Sequence, residues 1–446
     1  MVRIGPNTVS VADPEAVQIL YGLKSALKKS DFYHVQQNIS DGKPLENIFN
    51  TTRPDFHASI KRPVAHAYSM TSLLQYEPFV DTTSQMFCRR LTEEYVEKTR
   101  TCDLGKWLQF YAFDVIGEIT FSKKLGFLDT GEDVQGVIED IEWRLGYFAV
   151  VRILQPLFLP ACAKNGFQVG QMPVLDRFLL KNPLIMKMLS TNHIVKFTLE
   201  QVQARTSEPS DRKDFLGFFL QAHKENPQLV DKRQVLSYAN SNVFAGSDTT
   251  AISLRSILYY MLKNPYVLER VLAEIDTVVG DRDCDIHPIS YGESNQMLYF
   301  QAVIKEAMRL HPAVGLLLER ELPMGGLHIA GQWLPGGTVV GICPWVLHRD
   351  QRVFGKDADL FRPERWLESS PDVLKVMQRS ILAFGAGSRT CIGKHISLLE
   401  MSKIVPQLLW KFEFQLAHPE KEWTLENKWF VKQNNFFVKI KNRKRF

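Results

Sequence analysis

The chain has 446 residues, 45% of them hydrophobic, and a formal net charge of +5. Such a length and apolar content allow a large buried core, in one domain or in two or three. The positive balance is too small to argue for nucleic acid, and the only basic run, KIKNRKRF at the end, reads as a solvated terminus.

Six cysteines, Cys88, Cys102, Cys162, Cys284, Cys343 and Cys391, are scattered without a CxxC pair. A chain of this size needs no disulfides, so a reducing compartment fits. The sequons at Asn38 and Asn50 read as chance matches. The most apolar long stretch, LGYFAVVRILQPLFLPACA, is broken by Arg152 and two prolines and does not qualify as a membrane span.

In chain order, MVRIGPNTVSV reads as a strand, a turn at Gly5-Pro6-Asn7 and a second strand. A domain rarely begins inside a hairpin, so an upstream segment is expected. Asp13 then suits an N-cap and Pro14 a first helical position, with Gly22 ending that helix. Residues 30–56 are turn-rich and read as a long ordered loop with short helical pieces. From about His57 to Leu310 apolar residues recur at helical spacing.

One helix stands out. Asp231 followed by Gln234 gives a capping-box pattern, and no proline interrupts the helical run until Pro265. At about 1.5 Å per residue that helix is roughly 50 Å long and must cross the whole domain. Beyond Leu310, LHIAGQWLPGGTVVGICPWVLHRD reads as short strands with glycine turns. An amphipathic helix follows Cys391, and WFVKQNNFFVKIK reads as a hairpin turning at Asn434-Asn435. With no repeat or low-complexity linker, the fold class is mainly α with a small β-rich lobe, an α+β chain built as a single domain over residues 1–446. The β-rich part is expected in about 1–56 and the helical core in about 57–446.

The stretch FGAGSRTCIG, residues 384–393, sets Cys391 among three glycines. Gly385 and Gly387 free the backbone to bend so that successive N–H groups point at one sulfur. The start of a helix behind it favours an anion, and both features are expected to lower the thiol pKa. A thiolate held this way suits a soft metal. No second cysteine or histidine cluster lies near enough for a zinc or iron–sulfur site, which leaves a single thiolate on a heme. Phe384 is placed to cover the sulfur, Arg389 to reach a heme propionate, and Gly393 to let the next helix approach the ring.

The stretch resembles the heme-binding signature of the cytochrome P-450 superfamily, Phe-x-x-Gly-x-Arg-x-Cys-x-Gly, with every fixed position filled by Phe384, Gly387, Arg389, Cys391 and Gly393. The resemblance implies the P-450 fold, with the long central helix over the heme, and it covers nearly the whole chain. It implies that Glu306 and Arg309 of KEAMRL, with Arg365 of FRPERW, lock the core behind the heme. In AGSDTT, Gly246 would open a groove against the heme face. Asp248 and Thr249 would form the acid–alcohol pair that feeds protons to dioxygen. The family's Trp-x-x-x-Arg is replaced here by His57 and Lys61, with Arg62 adjacent, so a basic cluster facing the propionates is all that carries over. Arg320 and His348 are further candidates. VRIGPNTVSVADPEAV, HAYSM and VLHRD look most like fungal enzymes of the pisatin demethylase type.

The activity so implied is that of a heme-thiolate monooxygenase using heme b, inserting one oxygen atom of dioxygen into a lipophilic small molecule of terpenoid or polyketide-like character. The chain has no flavin or nicotinamide fingerprint, so NADPH serves only through a partner, an NADPH-dependent flavoprotein reductase, with Lys394 and His395 near its docking face. The family usually sits on the cytoplasmic side of the endoplasmic-reticulum membrane. No anchor is visible in this chain, and peripheral membrane association stays open. So do a heme-thiolate isomerase or dehydratase and a truncated, non-catalytic heme protein. Pocket walls are expected from the loop before His57, residues 144–163, Asn242, Phe244 and Ala245, Val314 to Leu317, and the tip near Asn434 to Phe436.

Overall fold

The computed structural model describes residues 1–40, 43–154, 193–207 and 214–444. Cys162 and most of the apolar stretch at 155–163 lie outside the described residues. Strand β1 (Val2–Gly5) pairs antiparallel with β2 (Thr8–Ser10), as the opening residues predict. Two much later strands, β3 (Arg320–Glu321) and β4 (Val339–Gly341), complete that sheet. β4 runs parallel to β2 and antiparallel to β3. The start of the chain and the segment around residues 320–341 therefore meet in one small lobe. The helix after Asp13 begins late, at Ala16–Tyr21, because the Asp13 carboxylate caps the turn before it by accepting from the Glu15 N–H at 3.0 Å.

Six helices position the chemistry: α1 (Pro54–Lys61), α2 (Leu104–Phe121), α3 (Val137–Leu154), α4 (Lys232–Lys263), α5 (Leu298–Leu310) and α6 (Lys394–Lys411). α2 is mostly apolar and, apart from Lys106, buried along its whole length. Asp103 caps it by accepting from the Lys106 N–H at 3.1 Å. α4 runs 32 residues from its cap at Asp231, which accepts from the Gln234 N–H at 2.8 Å, to Asn264 ahead of Pro265. The Asp231 side chain caps the helix without a reciprocal bond from Gln234, whose Nε2 is buried without a partner among the described residues. α4 packs along α2 and touches α5 and α6, so it is the axis of the core.

The end of the chain departs from expectation. β5 (Thr424–Lys428) and β6 (Phe430–Asn434) form a hairpin that turns at Trp429, not at Asn434-Asn435. The following strand, Phe437–Asn442, pairs instead with Phe412–Leu416 and Cys102–Asp103. Asn435 does adopt a left-handed φ of 66°, but as a corner between two sheets. Trp429 takes a left-handed φ of 77°, a strain of about 1–2 kcal/mol for a residue with a Cβ. Burial of the indole offsets it. Its ring centroid lies 5.4 Å from Phe32, 6.0 Å from Tyr33 and 6.1 Å from Phe49.

Candidate functional site

Cys391 sits two residues ahead of the cap of α6, at the end of a loop that folds back on itself. The Cys391 N–H donates to Phe384 O at 2.8 Å and the Thr390 N–H to Gly387 O at 3.1 Å. Gly385 and Gly387 carry left-handed φ of 68° and 63°. Gly387 has a second reason to be glycine, because a Cβ there would lie 1.8 Å from Tyr21 O. Gly393, by contrast, has an ordinary backbone, and a Cβ on it would only touch the sulfur at 4.0 Å. The backbone N–H groups of Gly393 and Lys394 point at the sulfur, and Lys61 and Lys394 add positive charge. The expected low thiol pKa does not follow for the bare chain. Burial pushes the thiol up and outweighs the amides and lysines. The side chain is nevertheless exposed, because it faces an internal space rather than its packed neighbours. A bound metal deprotonates a thiol outright.

Behind this loop, Glu306, Arg309 and Arg365 are almost wholly buried and mutually paired. Arg309 donates to Glu306 from Nη2 and Nε at 2.8 and 2.9 Å, and Arg365 Nε donates to the same carboxylate at 2.9 Å. The Arg362 N–H and Trp366 Nε1 complete the set at 3.0 and 2.9 Å. Arg309 spends its remaining N–H groups on the backbone carbonyls of His348, Ala358 and Leu360, while Arg365 donates to the carbonyls of Asp357 and Leu360 and from Nη1 to the Asp357 carboxylate at 3.2 Å. His348 therefore belongs to this lock and not to a propionate. Its Nε2 accepts from the Leu382 N–H at 2.8 Å, leaving Nδ1 to donate to Arg309 O at 3.0 Å. Through His348 the lock reaches the entry to the cysteine loop.

The remaining predicted cations gather on one side. Arg389 Nη1 donates to Thr51 O at 3.0 Å, while its Nη2 is buried without a partner. Lys61 Nζ reaches Ser388 O at 3.2 Å, and Arg320 lies over the Tyr21 ring at 4.9 Å. Lys29 joins them, a residue that sequence reasoning missed. It is buried, donates to Phe49 O at 2.6 Å and stands 3.9 Å over the rings of Tyr33 and Phe49. Nothing in LKKS says which of two adjacent lysines turns inward. Among the described residues none of Lys29, Lys61, Arg320 and Arg389 has a carboxylate partner in an ion pair, so they repel one another. Burial and the charges of Arg320 and Arg389 hold Lys29 well below the usual lysine range. Burial and Arg320 bring Arg389 down to about 10. A buried cation cluster with an orphaned guanidinium nitrogen, next to an exposed thiol, is the environment that an anionic heme edge satisfies. The residues fit that group.

His57 is buried beside those cations. Burial, then Arg389, Lys61, Lys29 and Arg320, push it down to about 3. His311 and His348 fall to about 4 and 3, chiefly by burial. Each histidine is neutral when folded but titrates near 6.5 when unfolded, so the unfolded chain binds more protons as pH falls. The stability gained by keeping them neutral is full above about 6.5 and is lost at up to about 1.4 kcal/mol per pH unit for each below it. Thermal melts should drop steeply between neutral pH and about 4. His57→Gln should flatten that slope by roughly one third of the histidine share, and an unchanged slope would show that His57 is already charged.

On α4 the structure separates the neighbours Asp248 and Thr249. The Thr249 hydroxyl donates to Ala245 O at 2.7 Å, with Ala245 exposed and Thr249 half-buried on a largely buried stretch of the helix. Asp248 turns toward α2, where Gln109 Nε2 donates to its Oδ1 at 2.6 Å. Gly246 does not open a groove at the heme face. A Cβ there would meet the Ile116 side chain of α2 at 2.9 Å, so the glycine lets the two helices pack closely. Asn242 is likewise a core tie, accepting from Tyr68 OH at 2.6 Å. Thr250 and Ser397 bond at 2.9 Å, joining α4 to α6 beside the two chemistry-bearing positions. Of the other predicted walls, Val314 bridges to Phe430, and the Gly315 N–H donates to Trp429 O at 3.0 Å, which brings the β5–β6 hairpin against Val314 to Leu317 in place of the Asn434 corner. Lys394 lies half-buried over the Phe384 ring at 5.9 Å, beside His395.

A family model described as Cytochrome P450 matches residues 2–440. The cytochrome P450 monooxygenase cicH of Emericella nidulans is 40% identical over 99% of the chain and 86% of its own length. A cytochrome P450 monooxygenase of Aspergillus terreus is 39% identical over 93% of the chain and 82% of its own length. The cytochrome P450 monooxygenase mpaDE of Penicillium roqueforti is 36% identical over 99% of the chain, which spans 51% of that longer protein.

Proposed function

The chain belongs to the cytochrome P450 family and is a monooxygenase of it; on that premise we propose that it hydroxylates or otherwise oxygenates a lipophilic small molecule of terpenoid or polyketide-like character. The observation that carries the site assignment is the exposed Cys391 thiol, ringed by backbone N–H groups and set beside a buried, uncompensated cation cluster. Heme b held on that thiolate supplies activation of dioxygen. Arg389, Lys61, Arg320 and His57, with Lys29, hold its propionates. Phe384 covers the thiolate side, and Gly387 lets the loop close. Burial raises the buried Asp248 carboxyl above the usual carboxylate range, which suits it to take up and pass on a proton, and Thr249 presents a hydroxyl on the open face of α4. The Glu306, Arg309 and Arg365 lock keeps the cysteine loop at fixed height. The largely apolar residues around Phe244, Ala245 and Val314 to Leu317 favour a substrate with few charges.

A family enzyme of this kind draws on a redox partner. Electrons reach it from NADPH through a flavoprotein reductase, docked near Lys394 and His395. No helix among the described residues is long and apolar enough to cross a membrane. We place the enzyme on the cytoplasmic face of the endoplasmic reticulum by family habit. The test is the absorption spectrum of the reduced, carbon-monoxide-bound protein beside Cys391→Ala. A strongly red-shifted Soret band in the wild type, lost in the variant, is the expected result. Heme bound without that shift would exclude Cys391 as thiolate ligand.

A further inference from the structure

The cation cluster beside the cysteine loop holds Lys29 with little to balance an ammonium. Its Nζ donates to Phe49 O at 2.6 Å and stands 3.9 Å over the rings of Tyr33 and Phe49, and the residue is 5% exposed. Two residues further along the same segment, Thr51 O takes Arg389 Nη1 at 3.0 Å, so neighbouring carbonyls of one short stretch bring a lysine and a guanidinium together. Arg320 faces them from β3, and His57 and Lys61 from α1. The carboxylates on the surrounding elements are committed elsewhere. Glu46 pairs with Arg53 and Glu321 with Lys28, each at 3.0 Å. Asp31 lies 3.8 Å from His34, and Glu319 accepts from the Ser30 hydroxyl at 2.5 Å. A carbonyl and two ring faces favour a cation, but they carry no net charge to cancel two nearby guanidinium groups. Guanidinium groups keep their protons where a buried lysine does not, and the half-buried Lys61 shares its charge with solvent. The repulsion in the empty cluster therefore falls on Lys29, which burial, then Arg320 and Arg389, hold well below the usual lysine range.

We propose that Lys29 is neutral in the empty site and takes up one proton as heme binds, so that capture of the cofactor and protonation of this buried amine are a single event. The proposal rests on the reading that the heme propionates sit at this cluster. One proton passes from solvent to the Lys29 amine, the ammonium so formed faces carboxylate, and no electrons move. The neutral amine can still donate to Phe49 O, so the site keeps its shape without the cofactor. The sign follows from linkage. The loaded chain carries one proton more than the empty chain, so heme affinity falls as pH rises, by up to about tenfold per pH unit. That fall is confined to the window between the Lys29 value in the empty site and its higher value in the loaded one. Below the window the amine is charged in both states, and above it neutral in both.

The experiment is the equilibrium partition of heme between the holoenzyme and excess serum albumin, from about pH 6 to about pH 9.5, below the ordinary lysine value. Dividing the wild-type affinity by that of a variant at the same pH removes the pH dependence of albumin and the proton that Cys391 loses. Divided by Lys29→Arg, whose charge persists, the wild-type affinity should fall at least about tenfold across the range. Divided by Lys29→Met, it should start well above one and converge on about one. Heme with both propionates esterified should give flat ratios. If Lys29→Met does not fold, the comparison with Lys29→Arg decides alone. Flat ratios for heme itself overturn the proton uptake and leave the propionate assignment standing. A fall that persists with the dimethyl ester overturns both, because the proton then answers to something other than the propionates.

Discussion

Glu306→Gln should lose about 3–5 kcal/mol of stability, the cost of breaking a buried charge network by removing one partner. With total stabilities of about 5–15 kcal/mol, that is enough to leave much of the expressed chain without heme. The carboxylate accepts from Arg309, Arg365, the Arg362 N–H and Trp366 Nε1, all within 3.0 Å. A neutral amide leaves the Arg309 guanidinium buried with only carbonyls, and leaves Arg365 with the partly exposed Asp357 carboxylate as its remaining anion among the described residues. The damage then has a path to the site, because Arg309 O holds His348 and His348 holds Leu382 at the mouth of the cysteine loop. Thermal unfolding and heme content measure it. Arg352→Gln is the control, since its pair with Asp350 is exposed and should cost less than about 1 kcal/mol. If Glu306→Gln melts with the wild type, the lock contributes specificity but little stability.

Gly387→Ala should be nearly as severe for a different reason. The new methyl would stand 1.8 Å from Tyr21 O, and the residue has a left-handed φ of 63°. One of two backbones must move. Tyr21 resists, because its hydroxyl donates to Leu318 O at 2.6 Å and accepts from the Ile342 N–H at 2.8 Å. The cysteine loop should yield instead, and heme uptake by the apoprotein should fall more than about tenfold, a little over 1.4 kcal/mol in binding. Gly331→Ala separates strain from collision. Its φ is 75°, but a Cβ there meets nothing within 4 Å, so only the strain of about 1–2 kcal/mol applies. Equal effects in the two variants would refute the steric account.

The loop around Cys391 and the span of the long helix were legible because each is a local pattern with a local cause, a glycine at a left-handed φ and a cap at Asp231. The lock was legible only through the family resemblance, since Glu306 and Arg309 three residues apart read alone as an ordinary surface pair and Arg365 lies far along the chain. What stayed hidden depends on partners far along the chain. Gly246 reads as a groove toward the heme until Ile116 appears behind it. Asn434-Asn435 reads as a hairpin tip, but strand partners are chosen by which apolar face finds a sheet, and these two strands found different sheets. Lys29 and His348 show the same limit for charge. A lysine and a histidine in unremarkable sequence become a buried cation and a core strut only when distant carbonyls meet them.

The indole of Trp429 ties the β5–β6 hairpin to the segment that bears Lys29, Phe32, Tyr33 and Phe49. That segment also supplies the Thr51 carbonyl on which Arg389 rests. The hairpin proposed to border the substrate space and the residues proposed to hold the cofactor edge are thus packed into one connected unit. Selection for a new substrate at the hairpin cannot proceed independently of the cofactor. A change that tilts the hairpin also shifts the electrostatic setting of the propionates, so altered specificity and altered redox behaviour should be inherited together.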